Sequence, residues 1–152
     1  MNTICMNTMT GAVTEYDGFA FQSITPRYAG SVNGLFGLGG DSDAGQPIQA
    51  EVLTGRMLWG DARKKFAPTV WFSMLGTGAG AGAGVEEGEL LVQGQSGSWV
   101  YRFAVRPAGE SRAQPGRGIR ENYLAFGYRN VDGVDFQIDL IEVGDVSSKR
   151  RV

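Results

Sequence analysis

The residues able to do chemistry are few, and their spacing excludes more than it supports. The chain has no histidine and a single cysteine, Cys5. That removes Ser-His-Asp and Cys-His catalysis, the commonest general base and the commonest zinc ligand. Cys5 sits in a polar segment with no base beside it, so nothing there activates a thiolate. Gly76-Thr77-Gly78-Ala79-Gly80-Ala81 matches a loose dinucleotide pattern. Such a loop needs a helix after it to hold the pyrophosphate, and here more Gly-Ala follows, then Glu86, Glu87 and a strand. Asp41-Ser42-Asp43-Ala44-Gly45 has the look of a calcium loop, but a third early ligand is missing and Glu51 falls one position short of the closing carboxylate. A simple Asp/Gly turn is the expectation. Asp135 and Asp139 share a strand face but stand roughly 13 Å apart along an extended chain, too far for a glycosidase pair. They are expected to be solvent-facing. No cofactor and no metal site is expected, and the chain reads as non-enzymatic.

Two sets of residues remain for binding. Arg112, Arg117 and Arg120 cluster in one polar stretch and suit a neighbour's carboxylates or phosphate. The acidic balance, net charge −2 and pI ≈ 5.1, and the lack of aromatics in that stretch disfavour nucleic acid. Of the tryptophans, Trp71 and Trp99 fall in strands and are expected in the core, whereas Trp59 lies in an undecided segment and is the candidate for stacking on a ligand ring.

These residues must be positioned by strands. Glycine makes up 24 of 152 residues, about twice the usual share, and short alternating runs outnumber anything with a helical period. The clearest stretch runs from Ile119 to Val143. Leu124, Phe126 and Tyr128 alternate with Ala125, Gly127 and Arg129. Asn130-Val131-Asp132-Gly133 turns the chain, and Val134, Phe136, Ile138 and Leu140 alternate with Asp135, Gln137 and Asp139. This predicts a β-hairpin with a wet face of Asp135, Gln137 and Asp139. The apolar phase slips at Leu140-Ile141, which predicts a β-bulge, a strand buried on both faces, or a strand leaving the sheet to meet a neighbour.

Elsewhere, a strand is expected within Val13–Ile24, and Asn33-Gly34 signals a hairpin. A half-buried strand over Ile48–Leu53 would turn Ile48, Ala50 and Val52 inward. Thr69–Leu75 is apolar on both faces and so central or covered. Glu89–Gln95 is a further strand, and Trp99, Tyr101, Phe103 and Val105 mark the cleanest amphipathic one. Met57–Phe66 is an irregular crossover or a turn of helix, its basic run Arg63-Lys64-Lys65 read as a solvated turn, and Pro107–Gly118 is a long polar loop. The sum is an all-β fold: a single antiparallel β-sandwich of about eight strands with long Gly-rich loops. Residues 1–12 form an N-terminal arm or a disordered tail, 13–146 the sandwich domain, and 147–152 a charged C-terminal tail. No apolar run is long enough for a membrane helix. The N-terminus lacks the basic and apolar regions of a secretory signal, so cytoplasmic synthesis is the expectation.

One resemblance extends this reading. Gly116-Arg117-Gly118 before Tyr123-Leu124-Ala125-Phe126, followed by Asn130-Val131-Asp132-Gly133-Val134-Asp135-Phe136-Gln137-Ile138-Asp139, resembles a closing β-hairpin of structural proteins of tailed bacteriophages, from tail, hub and head-to-tail components. Gly40-Asp41-Ser42-Asp43-Ala44-Gly45, Ile48-Gln49-Ala50, Thr54-Gly55 and Lys64-Lys65 before a strand look like the same module, so the similarity spans roughly Gly37 to Val143. It implies a non-enzymatic virion protein, a tail or connector component, made in the host cytoplasm and assembled as a ring of identical subunits. Its partners would be copies of itself and other phage tail or connector proteins. The candidate subunit interface is Met6 and Met9 of the arm, Gly78 and Gly80 of the Gly-Ala loop, and Arg112, Arg117 and Arg120. The alternative is a carbohydrate- or host-surface-binding sandwich, with Trp59 as its stacking residue.

Overall fold

The computed structural model describes residues 3–11, 13–16, 20–40, 42–43, 45–66, 69–75, 86–106 and 109–144. Gly78, Gly80, Phe19, Asp41, Ala44 and the 147–152 tail lie outside these. All regular structure in the described residues is β, and every pairing is antiparallel.

The chain forms two compact units, Met1–Gly40 and Asp41–Val152. The first is built from strands β1 (Thr3–Met6), β2 (Val13–Tyr16), β3 (Ser23–Ile24), β4 (Tyr28–Ser31) and β5 (Gly34–Gly37). β1 pairs with β2, so the 12/13 boundary drawn between arm and sandwich falls inside the loop of a hairpin. β3, β4 and β5 form a small meander whose last turn is the expected Asn33-Gly34 hairpin, Ser31 opposite Gly34.

The second unit begins with a tight hairpin, β6 (Ser42–Asp43) against β7 (Gln46–Pro47), which makes the Asp/Gly segment a turn. Its body consists of β8 (Glu51–Leu53), β9 (Val70–Leu75), β10 (Glu87–Gln93), β11 (Ser98–Ala104), β12 (Gly109–Ala113), β13 (Ala125–Asn130) and β14 (Gln137–Val143). They form a four-stranded sheet, ordered β11-β10-β13-β8, and a three-stranded sheet, ordered β12-β9-β14. The core lies between the two sheets. Phe72 of β9 stacks on Phe103 of β11 with ring centroids 5.1 Å apart, and Tyr128 of β13 meets Phe72 and Phe103 edge-on at 5.7 and 6.1 Å. Val70, Met74, Leu90, Val92, Leu124 and Phe126 complete it, all essentially inaccessible to solvent. The fold is thus an antiparallel β-sandwich, with seven strands in its two main sheets.

The apolar periods are obeyed. β9 is central in its sheet, with Val70, Phe72 and Met74 inward and Trp71 and Ser73 outward. In β11, Phe103 is buried and Trp99 and Tyr101 half-buried, alternating with exposed Val100 and Arg102. The phase slip in β14 is a bulge. Ile138 pairs with Met74 and Leu140 with Ser73, leaving Asp139 unpaired, after which Ile141 and Val143 take the inward positions. The strand remains paired to β9 through Val143, so the slip restores burial rather than releasing the strand from its sheet.

Three expectations are corrected. Ile119–Val143 is not a hairpin: β13 belongs to the four-stranded sheet and β14 to the three-stranded one, so Val131–Phe136 arches over the end of the sandwich. Asp132 and Gly133 do supply positive φ (53° and 74°). Asn130 does something else. Its buried amide donates to the carbonyls of Ile48 (2.9 Å) and Val134 (3.1 Å), and its Oδ1 accepts from Ala50 N–H (2.8 Å). One side chain therefore ties the arch to the lead-in of β8. Second, the polar stretch Pro107–Gly118 contains β12, whose Ser111 and Ala113 are fully buried while Glu110 and Arg112 face out. Small and polar residues at inward positions hid its period. Third, Ile48 and Val52 are exposed rather than buried: Val52 pairs with Tyr128 and so shares its inner face, but β8 is the edge strand of its sheet and leaves that side open to solvent. At Gly127 a Cβ would collide with the Val52 carbonyl, so the close approach of β8 to β13 requires glycine there.

Candidate functional site

The outer faces of the two sheets differ in how their charges are satisfied. On the four-stranded sheet one register row crosses every strand: Arg102 (β11), Glu89 (β10), Arg129 (β13) and Glu51 (β8). Arg102 lies 3.4 Å from Glu89 and 3.3 Å from Glu87. Arg129 lies 3.5 Å from Glu89 and 2.8 Å from Glu51. Alternating charge on directly opposed residues favours this register and closes the face electrostatically.

The three-stranded sheet presents the row Arg112 (β12), Trp71 (β9) and Glu142 (β14). The Arg112 guanidinium lies 5.4 Å from the centroid of the Trp71 ring, a cation–π contact. Alongside is a cleft of about 420 Å³ lined by Phe66, Thr69, Arg112, Gln114, Pro115 and Arg117. Among the described residues no carboxylate forms an ion pair with Arg112 or Arg117, in contrast to Arg102 and Arg129. Glu110 and Glu142 stand on the same sheet face without pairing to Arg112. The backbone explains the juxtaposition. Arg112 is held by β12, and the chain after Ala113 passes through Pro115 and a turn near Gly116 that carries Arg117 back to the cleft.

The structure thus brings two of the three sequence-selected arginines together. Arg120 is exposed and does not line the cleft. Met6 ends β1, and Met9 lies in the following turn, 94% exposed. Trp59 and Trp71 exchange the positions expected of them. The Trp59 indole N–H donates to the Leu124 carbonyl at 2.9 Å, and its ring packs edge-on against Phe126 at 5.5 Å. Its φ of 51°, costly for a bulky residue, is held by those two contacts. Trp71 instead turns to the outer face of its sheet, half-exposed beneath the Arg112 guanidinium. The missed signal was β9's alternation, since a strand with Val70, Phe72 and Met74 buried must turn Trp71 outward.

Two buried polar groups serve the scaffold. Lys65, in the run expected to be a solvated turn, is only 2% exposed. Its ammonium donates to the Asp61 carbonyl, to Asp61 Oδ1 (2.9 Å) and to the Arg63 carbonyl (2.8 Å). The Lys65 hydrogen bond, with that from the Arg63 N–H, holds the Asp61 carboxyl below its usual range. Lys65 N–H also donates to the Glu121 carbonyl at 2.7 Å, and the Glu121 carboxylate accepts from Ser96. Separately, burial, aided by the Glu86 carboxylate, pushes the Tyr128 hydroxyl up to about 12.

No group of acidic or cysteine side chains among the described residues is arranged to hold a metal ion. Compared with protein-family models, curated proteins and solved structures, the chain finds no match.

Proposed function

We propose that this chain is a non-enzymatic structural protein of a tailed-phage virion, a tail or head-to-tail component that assembles as a ring of identical subunits. The resemblance carried by Gly37–Val143 supplies the context, and the apolar surface of the first forty residues supports it. In Met1–Gly40, Ala29 is the one buried residue among those described, while Val32 (88% exposed), Leu35 (74%), Ile4 (70%) and Met6 (63%) face solvent. Two-stranded hairpins and small meanders are marginal in water, and burying a large apolar side chain is worth about 1.5–3 kcal/mol. A unit that leaves so many exposed gains its stability from a surface that covers it. In a ring, a neighbouring copy provides that surface, and a heterologous contact repeats around the axis until the ring closes.

In this reading the sandwich is a rigid tile. The hairpins and Met9 reach the adjoining copy or the next tail protein. Quantitative mass spectrometry of particles purified from the encoding phage tests it. The expected result is this chain at a fixed multiple of copies per particle. Its presence in infected cells but not in particles would overturn the assignment.

The alternative, a host-surface carbohydrate-binding module, is favoured by one observation: the cleft beside Trp71, with two arginines that no described carboxylate neutralises.

A further inference from the structure

We propose that the cleft between Phe66 and Thr69 ahead of β9, Arg112 of β12 and the turn after Ala113 is a binding site for a carboxylate-bearing sugar, of the uronic- or sialic-acid class. The proposal is independent of the ring and of the N-terminal hairpins.

Four features converge. First, the donors are anion receptors: Arg112 and Arg117 each carry a planar guanidinium fork, which matches a carboxylate bidentately, and Gln114 adds an amide able to donate and accept. Second, these forks are uncommitted among the described residues, whereas Arg102 and Arg129 on the opposite sheet are bound by Glu87, Glu89 and Glu51. Third, Arg112 is already oriented by the face of Trp71, so less side-chain freedom is lost when it binds. Fourth, about 420 Å³ exceeds the need of a bare ion and lies in the range of small-molecule sites. Phe66 and Pro115 line the same cleft, giving apolar surface for the C–H face of a pyranose ring. Glu110 and Glu142 border this sheet face. They would repel a second negative charge, which favours a singly charged carboxylate over a more highly charged phosphate.

Calorimetric titration of the full chain with glucuronate, and separately with glucose and with inorganic phosphate, tests the site. Saturable glucuronate binding is expected, weakened about tenfold or more by Arg112→Gln or Arg117→Gln, with no saturable binding of glucose. Both arginines are exposed, so the circular dichroism of the variants should be unchanged, with the melting of Arg117→Gln unaltered and that of Arg112→Gln lowered by no more than its contact with Trp71 accounts for. Absence of saturable glucuronate binding overturns the proposal. So does wild-type affinity in both variants, or phosphate binding as tight as glucuronate, since the cleft would then recognise charge alone.

Discussion

Arg112 lies over Trp71, its guanidinium 5.4 Å from the ring centroid, on the outer face of the three-stranded sheet. This pairing fixes the character of that face, because the aromatic ring orients a charge that no described carboxylate neutralises. Trp71→Leu should cost no more than about 1 kcal/mol in urea denaturation, the usual worth of a partly exposed cation–π pair. It should also weaken glucuronate binding severalfold, and Trp71→Tyr should restore most of that loss.

Trp59 should respond in the opposite way. Its ring packs on Phe126 and its N–H is bonded to Leu124. Trp59→Ala should destabilise the sandwich by roughly 2–4 kcal/mol through the lost packing and leave ligand affinity of the folded protein unchanged. Denaturation and titration of the same variant separate the two effects.

Asn130 is the most exacting polar position. Its amide must donate to two carbonyls and accept from Ala50 at once. Asn130→Asp keeps the shape but turns the donor into an acceptor facing Ile48 and Val134 carbonyls. A loss of about 2–4 kcal/mol is expected near neutral pH, and Asn130→Ala should cost less because it leaves no buried charge. Urea melts of the two variants give that order directly.

Tyr128 gives an alkaline signature. Its hydroxyl is raised to about 12 in the folded chain against an ordinary 10.0. Between those values the unfolded chain has released the proton and the folded chain holds it. The contribution is therefore complete below pH 10 and declines as pH rises toward 12, by roughly 2–3 kcal/mol. Denaturation midpoints across that window should fall less steeply in Tyr128→Phe.

How far the sequence revealed this arrangement depends on what a local pattern can encode. Alternation identified β11, β13 and β14 and located the slip that became the bulge at Asp139, whereas β9 stood out only as a run apolar on both faces and β10 as a further short strand. Turn chemistry marked where the chain reverses at Asp132-Gly133. It did not say whether the next strand pairs alongside or crosses to the facing sheet, because both need the same positive φ. In the sandwich the chain makes one sequential hairpin, β10 to β11, and otherwise passes between sheets. β12 was hidden because its inward residues are Ser111 and Ala113, too small or polar to announce a strand. The arginines stood out by charge alone. Their meeting with Phe66 in one cleft depended on β12 pairing with β9, a contact between segments that local periodicity does not link.

The central claim is that the exposed apolar hairpins of Met1–Gly40 are covered by neighbouring copies. Sedimentation of the full chain beside Val32→Asp/Leu35→Asp tests it most directly, since both side chains are solvent-facing and their replacement removes no core contact. The expected result is a discrete oligomer for the wild type and a folded monomer for the double variant. A wild-type chain that stays monomeric as concentration is raised, or a variant that forms the same oligomer, would contradict it.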